Sequence, residues 1–150
     1  MTPRPWVKSA RLTTPFAEPK IEAVKKETRP YRLTLEKRPT YLHATVTGIH
    51  NAENALRFLT EAFDACARME QSALLLEFNL AGPSLPSSAI FDVVSKRTKV
   101  AAKLRKIAYV DNSERDPEKV KFAETVARNR GVNVRLFREF EAAQSWLEAK

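Results

Sequence analysis

From Tyr31 onward, apolar and polar residues fall into regular periods, and the period changes several times along the chain. YRLTLEK (31–37) and YLHATVTGI (41–49) alternate apolar with polar, which predicts two strands. The second carries Leu42, Ala44 and Val46 on one face and Tyr41, His43, Thr45 and Thr47 on the other. Arg38-Pro39-Thr40 between them suits a tight connection, so the pair reads as a β-hairpin. Asn51 is placed to cap a helix, along which Leu56, Leu59, Phe63 and Cys66 recur at helical spacing. Arg57–Glu61 and Asp64–Arg68 form i,i+4 pairs on its other side. SALLLEF (72–78) is a short apolar run suited to a buried strand, and NLAGPSLPS follows as a loop. A helix is expected from Ser87 or Ser88 to about Leu104, then a buried strand at KIAYVD. Asp116-Pro117 is an N-cap with proline at the first helical position, opening a helix over 117–130 with Phe122, Ala123 and Val126 on its apolar side. VNVRLF is the last strand. Residues 139–150 form the last helix, with Phe140, Ala143 and Leu147 on one face and acids in its first turn.

The order ββαβαβαβα describes an α/β fold. Strands that alternate with single helices imply right-handed crossovers and a largely parallel sheet, to which the opening hairpin adds an antiparallel part. No internal repeat or heptad is present. Residues 1–30 hold five of the nine prolines and sustain neither period, which predicts a Pro-rich arm, extended or disordered on its own, ahead of a domain at 31–150. Trp6 and Phe16 are unusual in such an arm and suit docking onto the domain or a partner chain, with a homodimer among the arrangements left open. The domain is expected to fold without the arm.

Composition narrows the setting. A chain of 150 residues can bury a core without disulfides or metal. Its single cysteine, Cys66, lies on an apolar helix face, and one cysteine forms no internal disulfide; both suit a core residue in a reducing, cytoplasmic protein. No apolar run approaches the roughly 18 residues of a membrane span, and the N-terminus lacks the apolar region of a secretory signal. The net charge of +8 is uneven, with +6 in residues 1–40 and +2 in residues 41–150. A polyanionic partner for the basic arm is consistent with this.

The stretch ETVARNRGVNVRLF (124–137) runs from helix to strand through Asn129-Arg130-Gly131. A structural role explains it: Gly131 supplies the left-handed residue that ends a helix, and Arg128 and Arg130 complement the helix dipole. Arg130 is also placed to anchor a neighbouring loop. The longer segment KFAETVARNRGVNVRLFREFEAAQSWL (121–147) resembles the tail of STAS-like proteins of the SpoIIAA-like (anti-sigma-factor-antagonist-like) family. The resemblance implies a mixed four- to five-stranded sheet flanked by helices over residues 31–150. It also implies a non-enzymatic regulatory module acting through protein–protein contact. In the anti-sigma-factor antagonists, a serine at the start of the helix after the third strand, in the setting D-S-S-G-L, is phosphorylated. The matching residues are Pro86-Ser87-Ser88-Ala89-Ile90, so the resemblance points to Ser88 first and Ser87 second, with Pro86 and Ala89 departing from the pattern. A phosphate there would bring roughly −1.5 to −2 charges to a helix N-terminus. A plain N-cap accounts for either serine equally well.

Other chemistry is sparse. His43 and His50 are too far apart for a two-ligand helix site, and no cysteine cluster assists them. No nucleophile elbow, phosphate-binding loop or dinucleotide fingerprint is present, so no catalytic, cofactor or metal residues are assigned. Asp111 ends a strand where α/β ligand sites form, with Asp92, Glu114 and Asp116 expected near the same edge, yet solvated acids are common there. Lys96, Arg97, Lys99, Lys103, Arg105 and Lys106 form a basic run with no acid among them, and Lys96, Lys99 and Lys103 fall at i, i+3 and i+7. That face is expected to meet an acidic protein surface rather than nucleic acid, because no aromatic residue interleaves the run before Tyr109. Two alternatives stand beside protein contact. One is nucleic-acid or acidic-surface binding through the basic arm and helix. The other is small apolar-ligand binding, which related folds of the wider superfamily carry and for which the sequence singles out no cavity.

Overall fold

Alternation over residues 31–49 produces the hairpin. In the computed structural model, which describes residues 31–113 and 116–149, β1 (Tyr31–Lys37) pairs antiparallel with β2 (Leu42–Ile49). Leu33 faces Val46, and the Arg38 N–H donates to the Tyr41 carbonyl at 2.8 Å across the turn. β3 (Ala73–Ala81), β4 (Lys106–Asp111) and β5 (Val134–Phe137) follow, each parallel to the strand before it, giving the sheet order β1-β2-β3-β4-β5. The helices are α1 (Ala52–Arg68), α2 (Ser87–Ala101), α3 (Pro117–Asn129) and α4 (Phe140–Glu148). This mixed five-stranded sheet flanked by four helices, in the order ββαβαβαβα, is the architecture expected from the sequence and from its SpoIIAA-like resemblance. The arm at 1–30, with Trp6 and Phe16, lies outside the described residues, as does Glu114.

Strand alternation sorts the core into two. Leu42, Ala44, Val46, Leu74 and Leu76 belong to one cluster with residues of α1 and α2, and Ala127 of α3 packs against it. Tyr41, Ala73, Leu75, Ala108 and Val110 belong to the other, with Ala143 and Leu147 of α4. In the first cluster Phe58 meets Tyr31 and Phe78 edge-on at 5.6 and 5.1 Å, and Phe78 meets Tyr109 at 5.0 Å. Each such pair stabilises by about 0.5–1.5 kcal/mol beyond area burial.

Several boundaries and faces differ from expectation. The inner face of α1 centres on Phe58, Ala62, Ala65 and Cys66, whereas Leu56 and Leu59 are half-buried flanks. Asn54 is tolerated on that face because its backbone N–H donates to the Asn51 side-chain oxygen at 2.8 Å, the expected cap, and its Nδ2 donates to the Ile49 carbonyl at 2.9 Å. Burial pushes the Cys66 thiol up to about 11, since a thiolate there would lose its water. β3 runs through Asn79-Leu80-Ala81, expected as loop, because pairing with β2 continues to Ile49 opposite Ala81.

Two corrections affect candidate residues. α2 is capped by Pro86, with no side-chain cap bond, so neither Ser87 nor Ser88 serves as the N-cap. Its ring holds the extended backbone that opens the helix, and its carbonyl accepts from Ala89 and Ile90 at 3.0 Å each. α2 also ends at Ala101 rather than near Leu104. The chain is drawn into the sheet there, where the Arg105 N–H donates to the Ser72 carbonyl at 2.7 Å. Lys103 therefore sits in the turn beyond the helix and does not continue the face of Lys96 and Lys99.

Asn129-Arg130-Gly131 ends α3 as expected. Gly131 has φ +87°, its N–H bonds the Arg128 carbonyl at 3.1 Å, and the Val132 N–H bonds the Ala127 carbonyl at 3.1 Å. This crossed pair is a Schellman motif, and buried Val132 supplies its apolar partner. Asp116 caps the other end, accepting from the Glu118 N–H at 3.0 Å ahead of Pro117.

Candidate ligand-binding cavity

Helices α1, α2 and α3 do not fill the space above the sheet. They leave a cavity of about 140 Å³, lined from the sheet by Leu76, Phe78, Ile107 and Val134 and from the helices by residues such as Phe58, Ile90 and Val93. Part of the reason is composition: Ala55, Ala101, Ala123 and Ala127 line it with single methyl groups where larger residues would reach across. An engineered protein cavity of roughly 150 Å³ with an aliphatic and aromatic lining stays dry and takes up benzene or xenon, so this space suits an apolar body of about that size.

Polar residues also line it. Arg97 projects from α2, and its Nη1 donates to the Thr60 hydroxyl on α1 at 2.7 Å. Its Nε is buried and has no acceptor among the described residues. Glu124, buried on α3, lines the cavity while its Oε2 accepts the Leu136 N–H at 2.8 Å and so ties α3 to β5. Lys119 and Ser84 line it too. The Lys119 Nζ donates to the Ser87 hydroxyl at 3.0 Å, and the Asp116 N–H donates to the Ser84 hydroxyl at 3.0 Å, which links the starts of α2 and α3.

The opposite sheet face carries a separate polar network. His43 Nε2 lies 2.8 Å from Glu77 Oε1, and the Asn112 Nδ2 donates to Glu77 Oε2 and to Asn79 Oδ1, both at 2.9 Å. His43 and His50 stand near opposite ends of β2, and among the described residues no group of three His, Cys, Asp or Glu is arranged to hold a metal.

The other sequence candidates disperse. Ser87 and Ser88 are both exposed at the start of α2, with Lys119 at Ser87. The basic run does not form one surface: Lys96 pairs with Asp92 at 3.0 Å, and Arg97 turns to Thr60 and the cavity. Lys106 donates to the carbonyls of Trp146 and Ala149 at 2.6 and 2.8 Å, at the end of α4. Lys99 and Lys103 are exposed. Asp111 accepts the Tyr109 hydroxyl at 3.1 Å and the Ser113 N–H at 2.9 Å, so with Asp116 it serves local structure. Arg130 reaches a helix rather than a loop, its guanidinium lying 4.7 Å from the Phe91 ring centre, and Asn129 is exposed. The cavity and the separate duties of Arg97 and Glu124 escaped sequence reasoning. The alanines of α3, spaced i,i+4 at 123 and 127, were the available signal.

No family model matches the chain, and no curated protein does. Among solved structures the chain is similar to an uncharacterized protein of the DUF3478 family with a SpoIIAA-like fold from Shewanella loihica PV-4. The identity is 15% and the TM-score 0.49, over 78% of this chain and 93% of that one. The assignment of architecture rests on the strand order and helix placement given above.

Proposed function

We propose that this domain binds a small apolar molecule in the cavity between its sheet and helices α1 to α3. The observation that carries the reading is the cavity itself: about 140 Å³, with a largely apolar surface and partly open to solvent, between the sheet and three helices. A void of that size forfeits packing on every wall, and an apolar ligand restores it. Titration of the labelled protein with benzene tests this by NMR. Shifts confined to residues such as Ile90, Val93, Ala101 and Ala127 are the expected result, and an unmoved spectrum at saturating benzene overturns the reading.

A second reading, regulated protein contact, is favoured by Ser87. It is exposed at the first turn of α2 with the Lys119 ammonium 3.0 Å from its hydroxyl, so a phosphate on it would meet a cation and open backbone N–H groups. The test is a pull-down from cell extract with wild-type protein and Ser87→Glu. A partner whose recovery changes between the two supports this reading, and identical recoveries remove it.

A further inference from the structure

We infer that β1 is the seam of a symmetric homodimer, pairing antiparallel with β1 of a second copy about a twofold axis through Thr34. Among the described residues the sheet ends at β1, whose other edge carries no strand. The hairpin fixes which backbone groups that edge presents. The Arg38 N–H donates to the Tyr41 carbonyl, and the register to β2 is unbroken from Tyr31 to Lys37. Alternation therefore turns the N–H and C=O groups of Arg32, Thr34 and Glu36 toward β2 and those of Leu33, Leu35 and Lys37 outward. An outward row of this kind is a template for another strand, and natural edges are ordinarily blunted by a bulge, a proline or charge. β1 contains no proline, and its unbroken register leaves no bulge. Its charges therefore decide which strand it admits.

Those charges are self-complementary. With Thr34 on the axis, Leu33 falls opposite the partner's Leu35, and their outward groups exchange N–H···O bonds. Arg32 falls opposite the partner's Glu36 at a non-hydrogen-bonded pair, where side chains stand closest. Symmetry repeats both pairs. Moving the axis to Leu35 sets Arg32 against the partner's Arg38, and moving it to Leu33 sets Arg32 against the partner's Thr34, so the Thr34 axis is the one that matches opposite charges. Arg32, Thr34 and Glu36 are exposed on one face, and Leu33 and Leu35 are half-buried on the other, at the border of the core cluster. Pairing covers the open flanks of both leucines. It also gives Arg32 a carboxylate: among the described residues Arg32 forms no ion pair, and Glu36 of its own strand is four residues, about 13 Å, away. Glu36 meets Arg38 at 3.3 Å and His43 at 3.9 Å through Oε1, which leaves Oε2 for the partner's Arg32. One strand against another buries less than the roughly 1,200–2,000 Å² of a stable interface, so the association is weak and concentration-dependent.

The test follows the mass of the full chain by light scattering up to about 1 mM, as wild type, Arg32→Glu and Glu36→Arg. Wild type is expected to dimerise. Each reversal sets like charges against each other at both symmetric pairs and should weaken self-association at least about tenfold. An equimolar mixture of the two variants sets acid against base again and should recover the dimer to within about threefold of wild type. A purely structural role for either residue does not produce that recovery. Wild type that stays monomeric overturns the inference, as does a dimer indifferent to the reversals or a mixture that fails to recover. If either variant does not fold, amide exchange of wild type decides. Raising the concentration should slow exchange at the N–H groups of Leu33, Leu35 and Lys37 and leave those of Arg32, Thr34 and Glu36 unchanged. Rates at the first three that do not depend on concentration overturn the pairing.

Discussion

The two faces of the sheet are packed in opposite ways. On one side a single short helix, α4, closes over the sheet so tightly that Tyr41, Leu75, Ala143 and Leu147 have no exposed surface. On the other, three longer helices enclose far more apolar surface and still leave a void. More helix has not meant denser packing. The difference lies in side-chain size: α4 presses Leu147 and the half-buried rings of Phe140 and Trp146 toward its face, whereas α1, α2 and α3 present several alanines to the space between them. The tight side leaves no room for a ligand, and the hollow side, which also buries the larger cluster, does.

Shortening a side chain on the tight face gives the largest expected effect. Leu147→Ala should lower unfolding free energy by about 2–5 kcal/mol in a urea titration. A loss below about 1 kcal/mol would show that this face relaxes easily and that the contrast is false. Next is the helix end that borders the hollow face. Gly131→Ala should cost about 1–2 kcal/mol, all of it conformational, since φ is +87° and an added Cβ meets nothing within 4 Å. Gly131→Asn should lose less, because asparagine tolerates that backbone, and thermal melts of the two variants rank them.

Filling the hollow face should work in the opposite direction. Ala123→Leu adds apolar carbon to the cavity wall and should raise stability by about 1 kcal/mol while weakening benzene binding. Stabilisation without loss of binding would separate the cavity from the ligand. The smallest effect is on the surface. Reversing Lys96, Lys99 and Lys103 to Glu breaks one exposed ion pair, Lys96–Asp92, and should move stability by no more than about 0.5 kcal/mol. A larger loss in the melt would mean that these charges support the fold beyond that pair.

What the sequence made legible was local. Period-two alternation at 31–49, the Asp116-Pro117 start of α3 and the Gly131 stop each depend on a few adjacent residues, and each appears in the structure where it was read. The failures share a different cause. Leu56 and Leu59 drew the apolar face of α1 toward themselves, but Phe58 and two alanines fit the sheet better. In the sequence Arg97 reads only as one member of a basic run with Lys96 and Lys99, because spacing along a helix does not reveal what stands opposite it. Ser87 and Ser88 looked like caps because the residue type suits that position, yet the proline before them already holds the required backbone. The cavity was missed for the same reason: a void is set by the distance between elements, and Ala123 and Ala127 signal only that one of those elements carries small side chains.

Crystallography under xenon pressure tests the account most directly, because xenon reports an accessible apolar void without relying on any polar recognition. The expected result is a xenon peak enclosed by Phe58, Phe78, Val93 and Ala127 in wild type and absent from Ala123→Leu. No peak there in wild type, with diffraction undamaged and xenon bound elsewhere, would contradict the claim that this face of the domain is hollow.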